Sequence, residues 1–174
     1  MIILGIDPGP EDSAAVVYDT ATKIILWKSD TVTGKHLNTQ LLGFFMAWQN
    51  RFTFTQIVIE SMDCRGVPLN HWVRETLIWI GRFKEKLLGW GYTEEQITLL
   101  LPTKIRSTLC GTSKCTLKDE KEVIIDHLDP MRRFGQHGKG TKKAPGPFYG
   151  FTKDLWQAMA VVVAYELMVE RGDL

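Results

Sequence analysis

The stretch Met1-Ile-Ile-Leu-Gly-Ile-Asp-Pro-Gly-Pro10 decides the fold. Its apolar run is too short for a helical period and predicts a buried strand. The run ends on a carboxylate, Asp7, followed at once by Pro8 and Gly9. Proline cannot donate to a sheet ladder and glycine frees the backbone, so the strand stops there. Asp7 is thereby expected at the rim of a sheet. An Asx turn explains a lone Asp-Pro-Gly equally well, so the meaning of Asp7 depends on whether other carboxylates converge on it.

Working outward, Ala14 to Tyr18 reads as a second short strand and Lys23 to Lys28 as a third, joined by turn-forming residues into an antiparallel meander. His36 to Arg51 carries Leu37, Leu41, Leu42, Phe45 and Trp48 at helical spacing. Gln56-Ile-Val-Ile-Glu60 repeats the logic of the first strand: three β-branched residues, then a carboxylate. After a loop over 61–69, Asn70 caps a helix to about Leu88, and Ile97 to Leu101 is a further buried strand stopped by Pro102. Thr103 is expected to cap a short helix closed by Gly111. Leu117 to Leu128 forms the next helix, and Thr152 caps a last one running to about Glu170. Residues 129–150, rich in glycine and proline, read as a long irregular loop. This order predicts an α/β domain spanning 1–174, with helices packed on the faces of a mixed five-stranded sheet.

Composition agrees with one such domain. The 174 residues are 44% hydrophobic and 24% charged, with a formal net charge of +1. No apolar run is long enough to span a bilayer, and no secretory leader is evident, so a cytoplasmic protein is expected, with no membrane partner. Cys64, Cys110 and Cys115 are odd in number and scattered, which predicts free thiols rather than a disulfide framework. Cys110 and Cys115, with His127 or His137, lack the paired spacing of a zinc site.

Asp7 and Glu60 end strands expected to be neighbours. A third acid, Asp154, stands in the first turn of the last helix, where the helix dipole alone would also favour it. Ala158 and Ala160 are small enough to let that helix approach the sheet closely. Three convergent carboxylates repel one another unless neutralised, and a hard divalent cation with oxygen ligands resolves the conflict. Paired ions of this kind hydrolyse phosphodiesters.

These residues also carry a family resemblance. Gly5-Ile-Asp-Pro-Gly9, Ile57-Val-Ile-Glu60 and Asp154-Leu-Trp-Gln-Ala-Met-Ala160 resemble, in order, the three acidic motifs of the RuvC-type Holliday-junction resolvases of the ribonuclease-H-like superfamily. Pro102 to Gly111 resembles that family's segment after its fourth buried strand. The resemblance implies a ribonuclease-H-like fold and a homodimeric endonuclease, dependent on Mg²⁺ or on Mn²⁺ in its place, that resolves four-way junctions or other branched DNA. It makes Asp7, Glu60 and Asp154 catalytic metal ligands. Gln157 stands where the family often has another acid; it offers a carbonyl oxygen to a metal but no charge. The family's small hydroxyl-bearing position after Asp-Pro-Gly is met approximately by Ser13-Ala14, and Glu11 and Asp12 are expected in an exposed turn.

For DNA binding, Arg132, Arg133, Lys139, Lys142 and Lys143 form a basic, glycine-rich segment leading into the helix of Asp154. Lys104, Arg106, Lys118 and Lys121 form a second group, although Lys118 and Lys121 with Asp119, Glu120 and Glu122 also fit a solvated helix face. Trp72 and the Phe148-Tyr149 pair are candidates for base stacking, or for packing. The helix from Asn70, apolar on more than one face, is a candidate dimer surface. Two readings share this fold: a nuclease, or a branched-DNA-binding protein whose metal site Gln157 has weakened. A duplicated sugar-kinase or actin-like ATPase domain, suggested by Gly-Ile-Asp-Pro-Gly alone, requires about twice this length and a second phosphate loop.

Overall fold

A computed structural model of the chain describes residues 1–29, 36–48, 51–62, 66 and 69–174. Strands β1 (Ile2–Asp7), β2 (Asp12–Asp19) and β3 (Ile24–Lys28) form the expected meander. A two-residue strand β4 (His36–Leu37) pairs with the start of β2. Helix α1 (Asn38–Trp48) therefore begins two residues later than its apolar spacing suggested, because His36 and Leu37 are taken by that ladder. β5 (Gln56–Glu60) lies parallel to β1, and after α2 (His71–Gly89) β6 (Ile97–Leu100) lies parallel to β5. The sheet order is β3-β2-β1-β5-β6, with β4 as a sixth strand on β2. Helices α3 (Pro102–Cys110), α4 (Leu117–Leu128) and α5 (Lys153–Arg171) complete the described chain.

Strict alternation splits the core into two layers. Ile3, Val16, Tyr18 and Val58 face α3, α4 and α5. Leu4, Ile6, Val17, Ile57 and Ile59 face α1 and α2. Full burial of each such side chain contributes about 1.5–3 kcal/mol, so a one-residue slip of β1, which would send Ile3, Leu4 and Ile6 to the opposite layers, is disfavoured. α5 is buried on nearly all sides, Val161, Val162 and Val163 alike, which is why it lacks a polar face.

Local chemistry differs from expectation at four places. α3 opens with Pro102 at its first turn, where the missing N–H costs nothing, so Leu101 and not Thr103 occupies the cap. Thr152 has cap geometry at α5, but its hydroxyl makes no capping bond. Cys110 and Cys115 are joined in a disulfide: α3 ends at Gly111 in the left-handed region, and the chain folds back to the Thr116 cap of α4 within five residues. That corrects the expectation of free thiols at these two positions; Cys64 lies outside the described residues. Residues 129–150 are also more ordered than a flexible loop. Asp129, 1% exposed, accepts hydrogen bonds from the backbone N–H groups of Arg133 and Phe134, and Phe148 and Phe151 are buried against Trp156. Phe148 is therefore an anchor in the core.

Candidate active site at the carboxyl edge of the sheet

The parallel register pairs Ile6 with Ile59, so the next residues, Asp7 and Glu60, end adjacent strands side by side. Both lie on the α5 side of the sheet by alternation, Asp7 after Ile3 and Gly5, Glu60 after Val58. They line one cleft of about 230 Å³ with Pro8, Gly9, Met62 and Thr76. The turn after Asp7 is braced from within: Ser13 Oγ accepts from the Gly9 N–H and donates to Asn38 Oδ1, and Asn38 Nδ2 donates to the Gly9 carbonyl. This is the part played by the hydroxyl after Asp-Pro-Gly. Asp12 belongs to β2 and is half-buried, not part of an exposed turn, whereas Glu11 is exposed.

α5 is carried to the same edge. A β-carbon on Gly5 would stand 2.2 Å from Val162 Cγ2 and 2.9 Å from the Ala158 carbonyl, so helix and strand touch there without a side chain between them. Glu166, further along α5, lies beside Tyr18, the ladder partner of Ile3. α5 thus runs opposite to β1. Its Asp154, one turn or about 6 Å before Ala158, is brought towards the end of β1 where Asp7 stands, and is half-buried.

Glu60 also lines a second cavity, of about 20 Å³, with Arg106 of α3, Glu120 of α4 and Gln157 of α5. Burial pushes the Glu60 carboxyl up to about 7; the Arg106 charge opposes this and the Glu120 charge adds to it. Glu120 is 6% exposed and accepts a 3.1 Å hydrogen bond from Arg106 Nε. The sequence reading missed Glu120 as a site residue. The signal was its position on the stripe Leu117, Glu120, Ile124, Leu128, an acid at an apolar spacing.

Asp7 and Glu60 are therefore brought together, Gln157 joins Glu60, and Asp154 lines neither of these cavities. Among the described residues, no three His, Cys, Asp or Glu side chains are grouped closely enough to hold a metal ion. The donor set at this edge is nonetheless all oxygen, carboxylates with one amide carbonyl, which is the chemistry that Mg²⁺ and Mn²⁺ accept.

The basic residues separate into two kinds. Arg132 is engaged by Glu122 and Asp126, and Arg133 by Asp129. Lys104, Lys142 and Lys143 are exposed. Lys118, Lys121 and Lys139 line a groove of about 330 Å³ with His137 and Trp156, and Lys121 Nζ stands 5.5 Å from the Trp156 ring centre. Trp156 is two residues from Asp154, so this groove opens beside the start of α5. Trp72 is 57% exposed at the start of α2. No helix among the described residues is long and apolar enough to cross a membrane.

The chain matches no protein-family profile and no curated protein sequence. It does resemble solved structures of Thermus thermophilus RuvC. One gives a TM-score of 0.69 at 14% identity, covering 99% of this chain and 97% of that one. Another, RuvC in complex with a Holliday junction substrate, gives the same TM-score and identity over 99% and 96% of the two chains. The chain has the RuvC fold, a ribonuclease-H-like mixed sheet with helices on both faces.

Proposed function

We propose that this chain is a divalent-metal-dependent endonuclease that cuts branched DNA, four-way junctions among its substrates. The observation that carries the reading is the pairing of Asp7 and Glu60 at matched ends of parallel strands, in a fold shared with a protein solved on a Holliday junction. Asp7, Glu60 and Asp154, with the Gln157 carbonyl, would hold Mg²⁺ or Mn²⁺. A bound ion of this kind lowers the pKa of its water and offsets charge on the phosphate. The protein's own part is to keep that edge rigid. β1 and β5 fix two carboxylates through a continuous ladder, and Ser13 and Asn38 hold the turn that follows Asp7.

The groove of Lys118, Lys121 and Lys139 suits the sugar-phosphate backbone of a strand passing the site, since phosphate contacts position DNA without reading its sequence. A homodimer would set two such sites against the two strands to be cut. The exposed Trp72 and Ile78 of α2 support that surface for the second copy.

The test is cleavage of a synthetic four-way junction in Mg²⁺, with Asp7→Asn as the comparison. Asp7→Asn is expected to abolish cleavage while binding in Ca²⁺ stays within a few-fold of wild type. Absence of Mg²⁺- or Mn²⁺-dependent cleavage by the wild type on any branched substrate would sink the reading. Gln157 favours the second reading, a junction-binding protein without catalysis. Junction binding in Ca²⁺ with no cleavage would establish that alternative.

A further inference from the structure

β3 ends the sheet order β3-β2-β1-β5-β6, with β2 its one ladder partner. Among the described residues, no backbone hydrogen bond joins β3 to any other segment. Edges of this kind are normally blunted by charge along the strand or by a segment packed directly over it. Neither holds here. Charge is confined to the two ends, Lys23 and Lys28, and the middle is apolar, with Ile24 53% and Leu26 37% exposed. The segment after α4 passes beside the strand but stands off from it, leaving a groove of about 630 Å³ between the two. Every residue from Thr22 to Lys28 lines that groove. Successive strand side chains point to opposite faces, so a cavity that touches all of them follows the open edge and not one face.

The far wall belongs to this chain and is fixed. Phe134 and Pro145-Gly-Pro147 form it. The Gly140 N–H donates to the Phe134 carbonyl at 3.0 Å, and the Gly146 N–H to the Lys139 carbonyl at 2.8 Å. A β-carbon on Gly146 would stand 2.4 Å from the Gly138 carbonyl oxygen, so the wall is packed from behind. The groove exists before a guest enters, which lowers the ordering cost of binding. Its floor, the five residues of β3, is about 17 Å long. Walls on both sides admit one extended segment. A second copy of this chain would bring a whole sheet behind its edge. Antiparallel pairing of two β3 strands would also oppose lysine to lysine at both ends, Lys23 facing Lys28.

Charge narrows the choice of guest. Lys23 is engaged by Glu166 and Glu170. Lys28 donates to the Tyr149 carbonyl and lies 4.8 Å from the Phe151 ring centre, and among the described residues it pairs with no carboxylate. Arg133 bonds Asp129 through Nε, yet its side chain is 70% exposed beside the groove. A nucleic-acid strand would neutralise these two cations. It lacks the alternating N–H and C=O groups that a strand edge pairs with, whereas a peptide carries both.

We propose that the groove between β3 and the Pro145–Pro147 wall binds an extended acidic peptide segment of a partner protein, which joins the sheet as a strand beside β3. Main-chain bonds to the edge supply affinity and alternate side chains supply choice. Apolar ones cover Ile24 and Leu26, and acidic ones reach Lys28 and Arg133. The proposal goes beyond the nuclease reading and does not depend on it, since neither metal nor DNA takes part.

The test uses the full chain without metal and fluorescein-labelled hexapeptides read by anisotropy. The probes are Glu-Val-Glu-Ile-Glu-Val, its neutral counterpart Thr-Val-Thr-Ile-Thr-Val, and two acidic versions N-methylated on the odd or on the even backbone amides. The acidic peptide is expected to bind with Kd below about 1 mM and the neutral one roughly tenfold more weakly. At least one methylated version should lose binding, because one set of amides faces β3. Residue-resolved amide exchange should slow at alternate positions within Ile24–Lys28 when the acidic peptide is bound. Leu26→Glu should abolish binding. Where that variant does not fold, Arg133→Ala serves, since Asp129 keeps its bonds from the backbone N–H groups of residues 133 and 134. It should remove most of the acidic peptide's advantage and leave the neutral peptide within about twofold of its wild-type affinity.

No binding of the acidic peptide up to about 1 mM overturns the proposal. So does binding that leaves β3 exchange unchanged, or that both methylated versions retain in full. If oligothymidylate slows the same amides and displaces the peptide, the groove is a nucleic-acid surface and the proposal fails.

Discussion

Gly5 of β1 and Val162 of α5 are packed so closely that a β-carbon at position 5 would stand 2.2 Å from Val162 Cγ2. The contact sets the height of α5 over the sheet and, through it, the position of Asp154 relative to Asp7. Gly5→Ala forces either the helix or the strand to shift. Overpacking of this kind costs about 1–3 kcal/mol, and for a chain of this size each kcal/mol lowers Tm by roughly 2–4 °C. Thermal unfolding of Gly5→Ala should show that loss. Gly5→Ala, Val162→Ala should recover part of it, since the Ala158 carbonyl at 2.9 Å remains in the way. Full stability in the single variant would show that α5 is not held by this contact.

This contact illustrates what was legible beforehand. Ala158 and Ala160 signalled close approach from the helix side, while Gly5 stood out only as part of an apolar run and of the motif that ends at Gly9, not as the partner of that approach. Strand ends marked by Asp7 and Glu60 were legible because a buried β-branched run that stops on a carboxylate has few other meanings. Glu120 was hidden because a charged residue among Lys118, Asp119, Lys121 and Glu122 looks like a solvated face until Arg106 arrives from another helix. The Cys110–Cys115 pair and the buried Asp129 were hidden for the same reason. Each depends on where the chain reverses, which neither local propensity nor spacing specifies.

Glu60 ties stability to function with a definite sign. Its carboxyl is pushed up to about 7 in the folded, metal-free protein, from an ordinary 4.5. A raised acid favours the folded state while protonated. That contribution is complete below about 4.5 and is lost as pH rises through 7. Above that range the ionised, desolvated carboxylate opposes folding by about 3 kcal/mol. Glu60→Gln should therefore be more stable than wild type at pH 8 without metal, and should lose that advantage by pH 4.5. It should also lose cleavage. Equal stabilities across this range would show that the carboxylate is well solvated.

At the opposite end of the sheet, Glu166 accepts hydrogen bonds from Lys23 at 2.8 Å and lies 2.6 Å from His127 Nε2. Burial alone would raise its carboxyl, but the bonds from His127 and Lys23 outweigh burial and hold it below the usual carboxylate range. Here the sign is reversed. The stabilisation is present above the unfolded value of about 4.5 and fades as pH falls through the lower folded value. Glu166→Gln should cost about 1–3 kcal/mol at pH 7, measured by urea unfolding, and the gap to wild type should narrow at pH 3–4. A gap that is constant with pH would assign the loss to packing and not to charge.

The two kinds of basic residue predict two kinds of defect. Lys139 and Lys142 are exposed, whereas Arg132 spends its charge on Glu122 and Asp126. A lysine that neutralises a phosphate releases a counterion, so removing it flattens the dependence of log K on log salt by about one unit. Lys139→Ala and Lys142→Ala should each flatten that slope for junction binding in Ca²⁺, with little change in Tm. Arg132→Ala should do the opposite: it leaves the salt slope near the wild-type value and lowers Tm, because it loses the ion pairs to Glu122 and Asp126 that tie the segment after α4 to that helix. If Arg132→Ala flattens the slope as the lysines do, its ion pairs open in the complex and the segment rearranges on DNA.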